Sequence, residues 1–251
     1  MDKRGFALPV ITVFVQASAV AHAETNVVVV PRVEVVQIEF SGGYSGDIGG
    51  IRFDQGYNIS MQALRAGVSV ALGSFYFDGY YQASNKGSDR LLIGPTNYKY
   101  ESDRNEGVLA LGYRLTEEAA LFAGWRSSEA DARASQGSAI DIDTDAYFFG
   151  GSVNFPVLEK SAVSFNAAYI YINSVDYKAK NRDIPATFKL DGDGNGWKVG
   201  VSWAGVLTDK LRYTIGADYY SYDWDADNSS GDNIQGDEDE LFLRLGLSYA
   251  F

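Results

Sequence analysis

Apolar and polar residues alternate along most of the chain after its first two dozen positions. In the last segment every odd position from Leu241 to Phe251 is leucine or aromatic, and the even positions include Arg244, Gly246 and Ser248. Sustained alternation with a period of two is typical of a strand that has one apolar and one polar face. The pattern predicts ten strands, with eight as the alternative count. The ten predicted strands are residues 33–46, 59–71, 74–86, 104–115, 119–128, 143–155, 162–174, 194–206, 210–222 and 239–251.

The connections between these segments are alternately short and long. A transmembrane β-barrel combines short periplasmic turns with longer extracellular loops, whereas a soluble sandwich has no need of this alternation. The pattern therefore predicts an all-β protein, a transmembrane antiparallel up-and-down β-barrel. The short connections are Gly73 and residues 116–118, 156–161 and 207–209, and the long polar ones are residues 47–58, 87–103, 129–142, 175–193 and 223–238.

The first 23 residues have the layout of a secretory signal peptide. Lys3 and Arg4 precede an apolar stretch, and Ala21 and Ala23 supply the small residues of a cleavage site. The apolar stretch is too short to span ~30 Å of hydrocarbon, which disfavours a membrane anchor. We therefore expect residues 1–23 to be removed on secretion and residues 24–251 to form one barrel domain.

Composition removes several classes of function. The chain has 33 acidic against 21 basic residues and a formal net charge of -12, which argues against nucleic-acid binding. It has no cysteine, which excludes disulfides and thiolate catalysis. Its single histidine, His22, lies in the predicted signal peptide, so the secreted chain could not build a histidine-dependent catalytic dyad or triad. We predict a protein that is not an enzyme and uses no cofactor.

Nine charged residues fall on the polar face of the predicted strands. When the apolar face contacts lipid, these charges lie in the lumen, where water or opposite charges must accompany them. Six cations against three anions predict a narrow lumen that is mostly closed by paired charges. The predicted lumen-facing charges are Glu39, Arg65, Asp78, Arg114, Arg126, Lys198, Arg212, Asp218 and Arg244.

Two acidic segments raise the question of cation binding. The segment that begins at Asp191 has acidic or amide residues at alternate positions like a calcium-binding loop, but its twelfth position is Ser202 and a strand follows. Residues 223–238 contain six acidic residues and no Lys or Arg. Both segments are interpreted as solvated extracellular loops, with a cation bridge to anionic lipopolysaccharide as the alternative for the second, and no metal site is predicted.

The closing segment, from Leu245 to the terminal Phe251, resembles the last strand of bacterial outer-membrane β-barrels. In overall pattern the chain is similar to the small opacity/OmpA-like barrel superfamily, which is porin-like in the loose sense. The resemblance implies secretion to the periplasm and insertion into the cell outer membrane. It also implies contact with outer-membrane lipid and lipopolysaccharide, and recognition of Tyr249 and Phe251 by the outer-membrane assembly machinery.

Two functions follow as hypotheses. The first is a small porin-like barrel that contributes to envelope permeability, because the predicted lumen carries charge. The alternative is a structural or surface-interaction barrel, adhesin-like, with a plugged lumen and five polar loops that meet other molecules. The sequence leaves the solute, the surface partners and the oligomeric state open.

Overall fold

The computed structural model describes residues 27–48, 50–93, 96–134, 137–180 and 187–251, so the predicted signal peptide lies outside the described residues. No helix among these residues is long and apolar enough to cross a membrane. The described chain is built of β-strands. They are β1 (Val28–Ile48), β2 (Ile51–Leu72), β3 (Phe75–Ser84), β4 (Gly87–Ile93), β5 (Thr96–Arg114), β6 (Ala119–Ala134), β7 (Ala139–Leu158), β8 (Ser161–Lys180), β9 (Thr187–Val206), β10 (Leu211–Asp227) and β11 (Asn233–Tyr249).

The strands form one antiparallel sheet that closes on itself. Consecutive strands are hydrogen-bonded neighbours except β3 and β4. In addition, β1 pairs with β11, and β3 pairs with β5. The strand β4 pairs with β5 alone and continues β3 after a break at Asn85 and Lys86. Of the eleven strands, ten therefore form the closed barrel and β4 is extra. The prediction of a ten-stranded barrel is confirmed, and the eight-stranded alternative is wrong.

A band of exposed apolar side chains surrounds the barrel near its short turns. On β11 the band runs over the odd positions from Leu241 to Tyr249, where Leu245 is 59% exposed, and on β1 it includes Val33 and Val35. The residues between them are buried inside. Apolar side chains that face outward along a closed sheet are stable only against lipid, so this band marks the membrane-spanning part of the wall.

The strands are much longer than a membrane span requires. Apart from β3 and β4 they have 16 to 22 residues, whereas a tilted strand crosses the hydrocarbon in roughly 9–11. The barrel therefore projects beyond the lipid at the end opposite the chain termini, and the five long connections predicted as loops are mostly strand. We call this projection the outer extension. Its described residues are 38–48, 50–62, 84–93, 96–106, 127–134, 137–145, 173–180, 187–195 and 221–239.

In the outer extension the apolar and polar faces of the sheet are exchanged relative to the lipid-facing band. The outward residues of the extension are polar, and its inward face is an apolar core that includes Ile38, Phe40 and Trp224. The Trp224 indole lies against Gly236, where a Cβ atom would come within 2.2 Å of the ring, so only glycine leaves room for it. This arrangement is that of a barrel in water, with apolar groups inside and polar groups outside.

The lipid-facing band predicts a position-dependent response to charge. Leu245→Arg should lower the free energy of unfolding by about 2–4 kcal/mol in an equilibrium refolding titration in lipid, because the band excludes a charged side chain. Gln235→Arg changes an exposed residue on the same face of β11 but in the outer extension, so it should cause no loss. Equal losses in the two variants would contradict the placement of the band.

Candidate functional site

The inner face of the barrel at membrane depth carries a dense group of buried charges. Seven of the nine charges predicted to face the lumen are buried there. They are Arg65, Asp78, Arg126, Lys198, Arg212, Asp218 and Arg244.

The remaining two predicted lumen charges lie elsewhere. Arg114 has inward parity but sits at the turn end of β5, half-buried, and donates a hydrogen bond to the Gly73 carbonyl. The prediction for Glu39 is wrong, because Glu39 shares the outward face of β1 with Val33 and Val35. There its carboxylate accepts hydrogen bonds from Gln37 and Ser60.

Five charges that the sequence reading missed complete the group. Each lies on the inward parity of its strand. Arg104, Glu106 and Glu240 share that parity with predicted charges of the same predicted strands, whereas Arg32 and Glu34 could be identified only once the inward face of β1 was known. The residues Arg32, Glu34, Arg104, Glu106 and Glu240 join six of the predicted ones. We call the eleven the ion-pair plug, consisting of Arg32, Glu34, Arg65, Asp78, Arg104, Glu106, Arg126, Lys198, Asp218, Glu240 and Arg244.

Two arginines and two glutamates form the outermost part of the plug. The Arg126 guanidinium lies 2.6 Å from the Glu106 carboxylate and 2.8 Å from that of Glu240. Arg104 pairs with Glu240 from the other side. The hydroxyl of Tyr80 donates to Glu106 at 2.7 Å. Charge-assisted bonds of this kind are the stronger class of hydrogen bond, and here they connect β3, β5, β6 and β11 across the lumen.

The middle of the plug is a chain of alternating charges. Glu34 lies 3.3 Å from Arg65 and 3.5 Å from Arg244. Arg244 also lies 2.7 Å from Asp218, and Asp218 lies 3.1 Å from Lys198. The side chain of Glu34 occupies the space beside Gly246, where a Cβ atom would be 2.7 Å from it. A glycine at this position of β11 therefore leaves room for the charged side chain of the neighbouring strand.

Aromatic rings and one further ion pair fill the remaining space. The Arg65 guanidinium stacks on the Tyr80 ring at 4.0 Å, and Arg126 lies 4.6 Å from the ring centre of Tyr220. Towards the turns, Arg32 binds Asp78 with two hydrogen bonds of 2.6 and 2.8 Å. Cations over aromatic faces are attracted to them, most strongly away from water.

The plug is nearly neutral as a whole. It contains six cations (five arginines and Lys198) and five anions, whereas the sequence predicted six cations against three anions. Isolated charges at this depth would be very unfavourable, and pairing removes most of that penalty. The lumen of the described barrel is thus filled by matched charges at membrane depth and at the base of the outer extension, where Arg104 and Glu106 lie, and by the apolar core of the outer extension above them.

The outer face of the outer extension carries paired acidic residues. Asp193 lies directly opposite Asp225, and Asp191 lies between Asp176 and Asp227 on neighbouring strands. A hydrogen bond to Asp191, together with partial desolvation and repulsion, raises the pKa of Asp176 above its ordinary value. Like charges that face each other across strands are mildly destabilising.

The two acidic segments predicted as loops are strand. The segment from Asp191 to Gly196 lies within β9, and most of residues 223–238 belong to β10 and β11. Strand geometry points alternate side chains to opposite faces, so the acidic side chains spread over the outer surface. In the described part of the chain no group of three or more acidic or histidine side chains is arranged to hold a metal ion.

No model of a known protein family matches the chain, and no curated protein does either. Among solved structures, the outer membrane protease OmpT from Escherichia coli superimposes with a TM-score of 0.65 at 11% identity, over 89% of this chain and 97% of that chain. The outer membrane protein OprG from Pseudomonas aeruginosa matches with a TM-score of 0.49 at 10% identity, over 90% of this chain and 97% of that chain.

The likeness to OmpT, at this low identity, establishes the fold alone. Together with the lipid-facing band and the closed sheet, it makes the chain a small transmembrane β-barrel of the outer-membrane type. The resemblance of the closing strand to such barrels is confirmed at the level of fold.

The plug predicts that the neighbouring carboxylates of Glu240 and Glu238 make very different contributions to the free energy of unfolding. Glu240→Gln should lower the free energy of unfolding by about 3 kcal/mol, because it leaves Arg104 and Arg126 without their shared counter-ion in a buried site. Glu238→Gln is the matched control. Burial and the Glu240 charge raise the pKa of Glu238, so a neutral side chain there should be neutral or stabilising. Similar losses in both variants, measured by urea titration, would contradict the plug.

The acidic outer face predicts a pH-dependent gain from one substitution. The pKa of Asp176 is higher in the folded state than in the unfolded state, so its protonated form stabilises the folded barrel at low pH. This stabilisation is lost as the pH rises through the folded-state pKa. Asp176→Asn should therefore stabilise the barrel by about 0.5 kcal/mol at pH 7 and by less at pH 3. Asp54→Asn, opposite Ser45, is the control and should show no such difference. An equal gain from Asp176→Asn at both pH values would contradict the assignment.

Proposed function

We propose that the protein is a non-conducting outer-membrane barrel whose outer extension serves as a surface for interaction with other molecules. This is the plugged-barrel alternative of the sequence analysis. The observation that carries it is the set of ion pairs through Arg126 and Glu240, which connects opposite walls of the lumen.

Ten strands enclose little space, and large aqueous channels use about sixteen to eighteen. Here that space contains buried guanidinium and carboxylate groups in contact with each other and with tyrosine rings. An ion crossing the barrel would have to break several charge-assisted bonds at once. The porin-like role remains a prediction with less support, since the inner charges are nearly balanced and packed.

The outer extension supports the second half of the proposal. Its own apolar core makes it a rigid platform, and its outward side chains are polar and largely acidic on β9 to β11. Rigid polar surfaces presented beyond a membrane are suited to contact with other molecules. We also propose that the protein has no enzymatic activity, since the described chain contains no histidine for a histidine-dependent dyad or triad and no cysteine for thiolate catalysis.

The partners predicted from sequence are part of the same proposal. Outer-membrane lipid and lipopolysaccharide would surround the apolar band, after secretion through the periplasm. Tyr249 and Phe251 would be read by the assembly machinery. Phe251 is 73% exposed at the turn end, packs on the Tyr249 ring at 4.9 Å and donates its backbone N–H to Val29, so it is held in place and accessible.

Single-channel recording on the refolded protein in planar bilayers tests the proposal. The unmodified barrel should show no steady conductance. The double variant Arg126→Ala with Glu240→Ala removes one cation and one anion together and leaves Arg104 and Glu106, which lie 4.0 Å apart, to pair with each other, so it should open a small conductance.

The control is the double variant Asp193→Asn with Asp225→Asn in the outer extension, which should stay silent like the unmodified protein. A large, steady, ohmic conductance in the unmodified barrel would overturn the proposal and favour the porin-like function.

A further inference from the structure

The lipid-facing band contains a groove on one side of the barrel. The groove extends over β8, β9, β10, β11 and β1 to the adjoining residue of β2, and it encloses about 710 Å³. Clefts that hold small ligands have volumes of roughly 300–1,000 Å³, so the groove has room for one. Two rows of outward side chains line it, each row crossing the strands from neighbour to neighbour. The row nearer the turns consists of Val35, Leu245, Ile215, Trp203 and Val163.

The second row has a recess at its centre. Ala217 lies directly opposite Leu243 on one side and Val201 on the other, and these longer side chains are 46% and 40% exposed. The methyl group of Ala217 is half-buried between them. The inward residue Gly216 also lines the groove, so the sheet itself forms the bottom at this point. The second row consists of Gln62, Gln37, Leu243, Ala217 and Val201.

The groove runs from the outer boundary of the band towards the turns. Gln62 belongs to the outer extension and Gln37 borders it, whereas Val163 lies two residues after Ser161, where β8 begins at a short turn. Strands of such barrels are tilted by roughly 35–45°, so a row that crosses them is oblique to the membrane. A hydrocarbon chain of the lipid leaflet next to the outer extension can therefore follow the groove from its outer end.

The apolar part of the groove fits hydrocarbon. It is continuous with the lipid-facing band, so whatever covers it comes from the membrane. A chain lying in the recess over Ala217 touches side chains on both sides, whereas a chain lying on the rest of the band touches the wall on one side only. Dispersion contacts are small singly and large together, so the recess should hold a chain more firmly than the surrounding band does.

The outer end of the groove presents hydrogen-bond acceptors. The Gln37 amide donates to the Ser60 hydroxyl at 2.7 Å and to the Glu39 carboxylate at 3.0 Å. The Ser60 hydroxyl donates to the same carboxylate at 3.0 Å. These bonds engage the amide N–H groups, so the Gln37 carbonyl and the Glu39 carboxylate are the groups suited to a ligand. Acceptors with a negative charge attract the hydroxyl donors of a sugar and repel a phosphate.

We propose that the groove holds one acyl chain of an outer-leaflet glycolipid, whose sugar hydroxyls donate hydrogen bonds to Gln37 and Glu39. The proposal assigns one ordered lipid to one place on the band, in addition to the lipid that surrounds the whole band. It is independent of the proposed function, because the groove lies outside the lumen and below the outer extension.

Native mass spectrometry of the refolded barrel, released from detergent micelles, tests the groove. The probe is a glucosyl diacylglycerol, and one molecule should remain bound to each barrel. Ala217→Leu fills the recess with an apolar side chain that lipid tolerates, so affinity for the probe should fall about tenfold. Ala123→Leu is the matched control, because Ala123 faces lipid on β6 away from the groove, and its affinity should not change. Gel mobility before and after heating checks that both variants fold.

A second lipid tests the head group. Phosphatidylglycerol with the same two acyl chains should bind about tenfold more weakly than the glucosyl lipid, because its phosphate meets the Glu39 charge. Glu39→Gln removes the charge and keeps an acceptor, so it should narrow this difference by strengthening the binding of phosphatidylglycerol. Glu129→Gln removes an outward charge on β6, away from the groove, and should leave the difference unchanged.

Four outcomes would overturn the proposal. They are the absence of retained glucosyl lipid, equal affinities in the two folded alanine-to-leucine variants, equal binding of the two lipids by the unmodified barrel, and a dimer of barrels that Ala217→Leu disrupts. The last result would mean that a second copy of the chain covers the groove.

Discussion

In hydrocarbon, every backbone N–H and C=O must find its partner within the protein, and the remainder of this structure depends on that constraint. The sheet meets it by closing, through β1 with β11 and β3 with β5. Closure with ten strands fixes a narrow lumen, and the outward apolar band leaves the polar face of every strand inside it. Charges confined to so small a space are tolerated only in pairs. The ion-pair plug is the consequence of closure.

Beyond the lipid the same strands are surrounded by water instead of hydrocarbon, and this changes which side chains face outward. Water surrounds the outer extension, so its apolar side chains lie inside and its acidic ones outside. Water can also satisfy main-chain groups there, which is why, among the described residues, β2 and β4 can lie side by side without a ladder and without the penalty that unpaired groups would carry in lipid. A complete ladder is required at membrane depth and optional above it.

Sequence alternation was sufficient for the number of strands, their order and the lipid-facing parity of most of them. It failed where a strand leaves the membrane. In β1, Val33 and Val35 face outward into lipid, whereas the apolar Ile38 and Phe40 face inward because this part of the strand lies in water. Taking every apolar residue as lipid-facing puts Ile38 and Phe40 outside, and this places their neighbour Glu39 on the wrong face. The long polar segments were interpreted as loops for the same reason, because their alternation is inverted relative to the band.

The pairings within the plug could not be predicted from the sequence. Arg104 and Glu240 are 136 residues apart, and their contact depends on the curvature of the whole wall. Parity can indicate that both face inward, but it cannot indicate which charges meet across the lumen. That information arises only when the barrel closes.

The separate core of the outer extension has a consequence for how such a protein can evolve. Its hairpins can lengthen or shorten at their tips one rung at a time, each rung moving the tip by about 3.4 Å, without shifting the register of any pair in the lipid band. Substitutions at the tips change what the cell surface presents and do not reach the charges at membrane depth. The two halves of one continuous sheet can therefore diverge at different rates, the inner half held by electrostatics and the outer half free to follow selection at the surface.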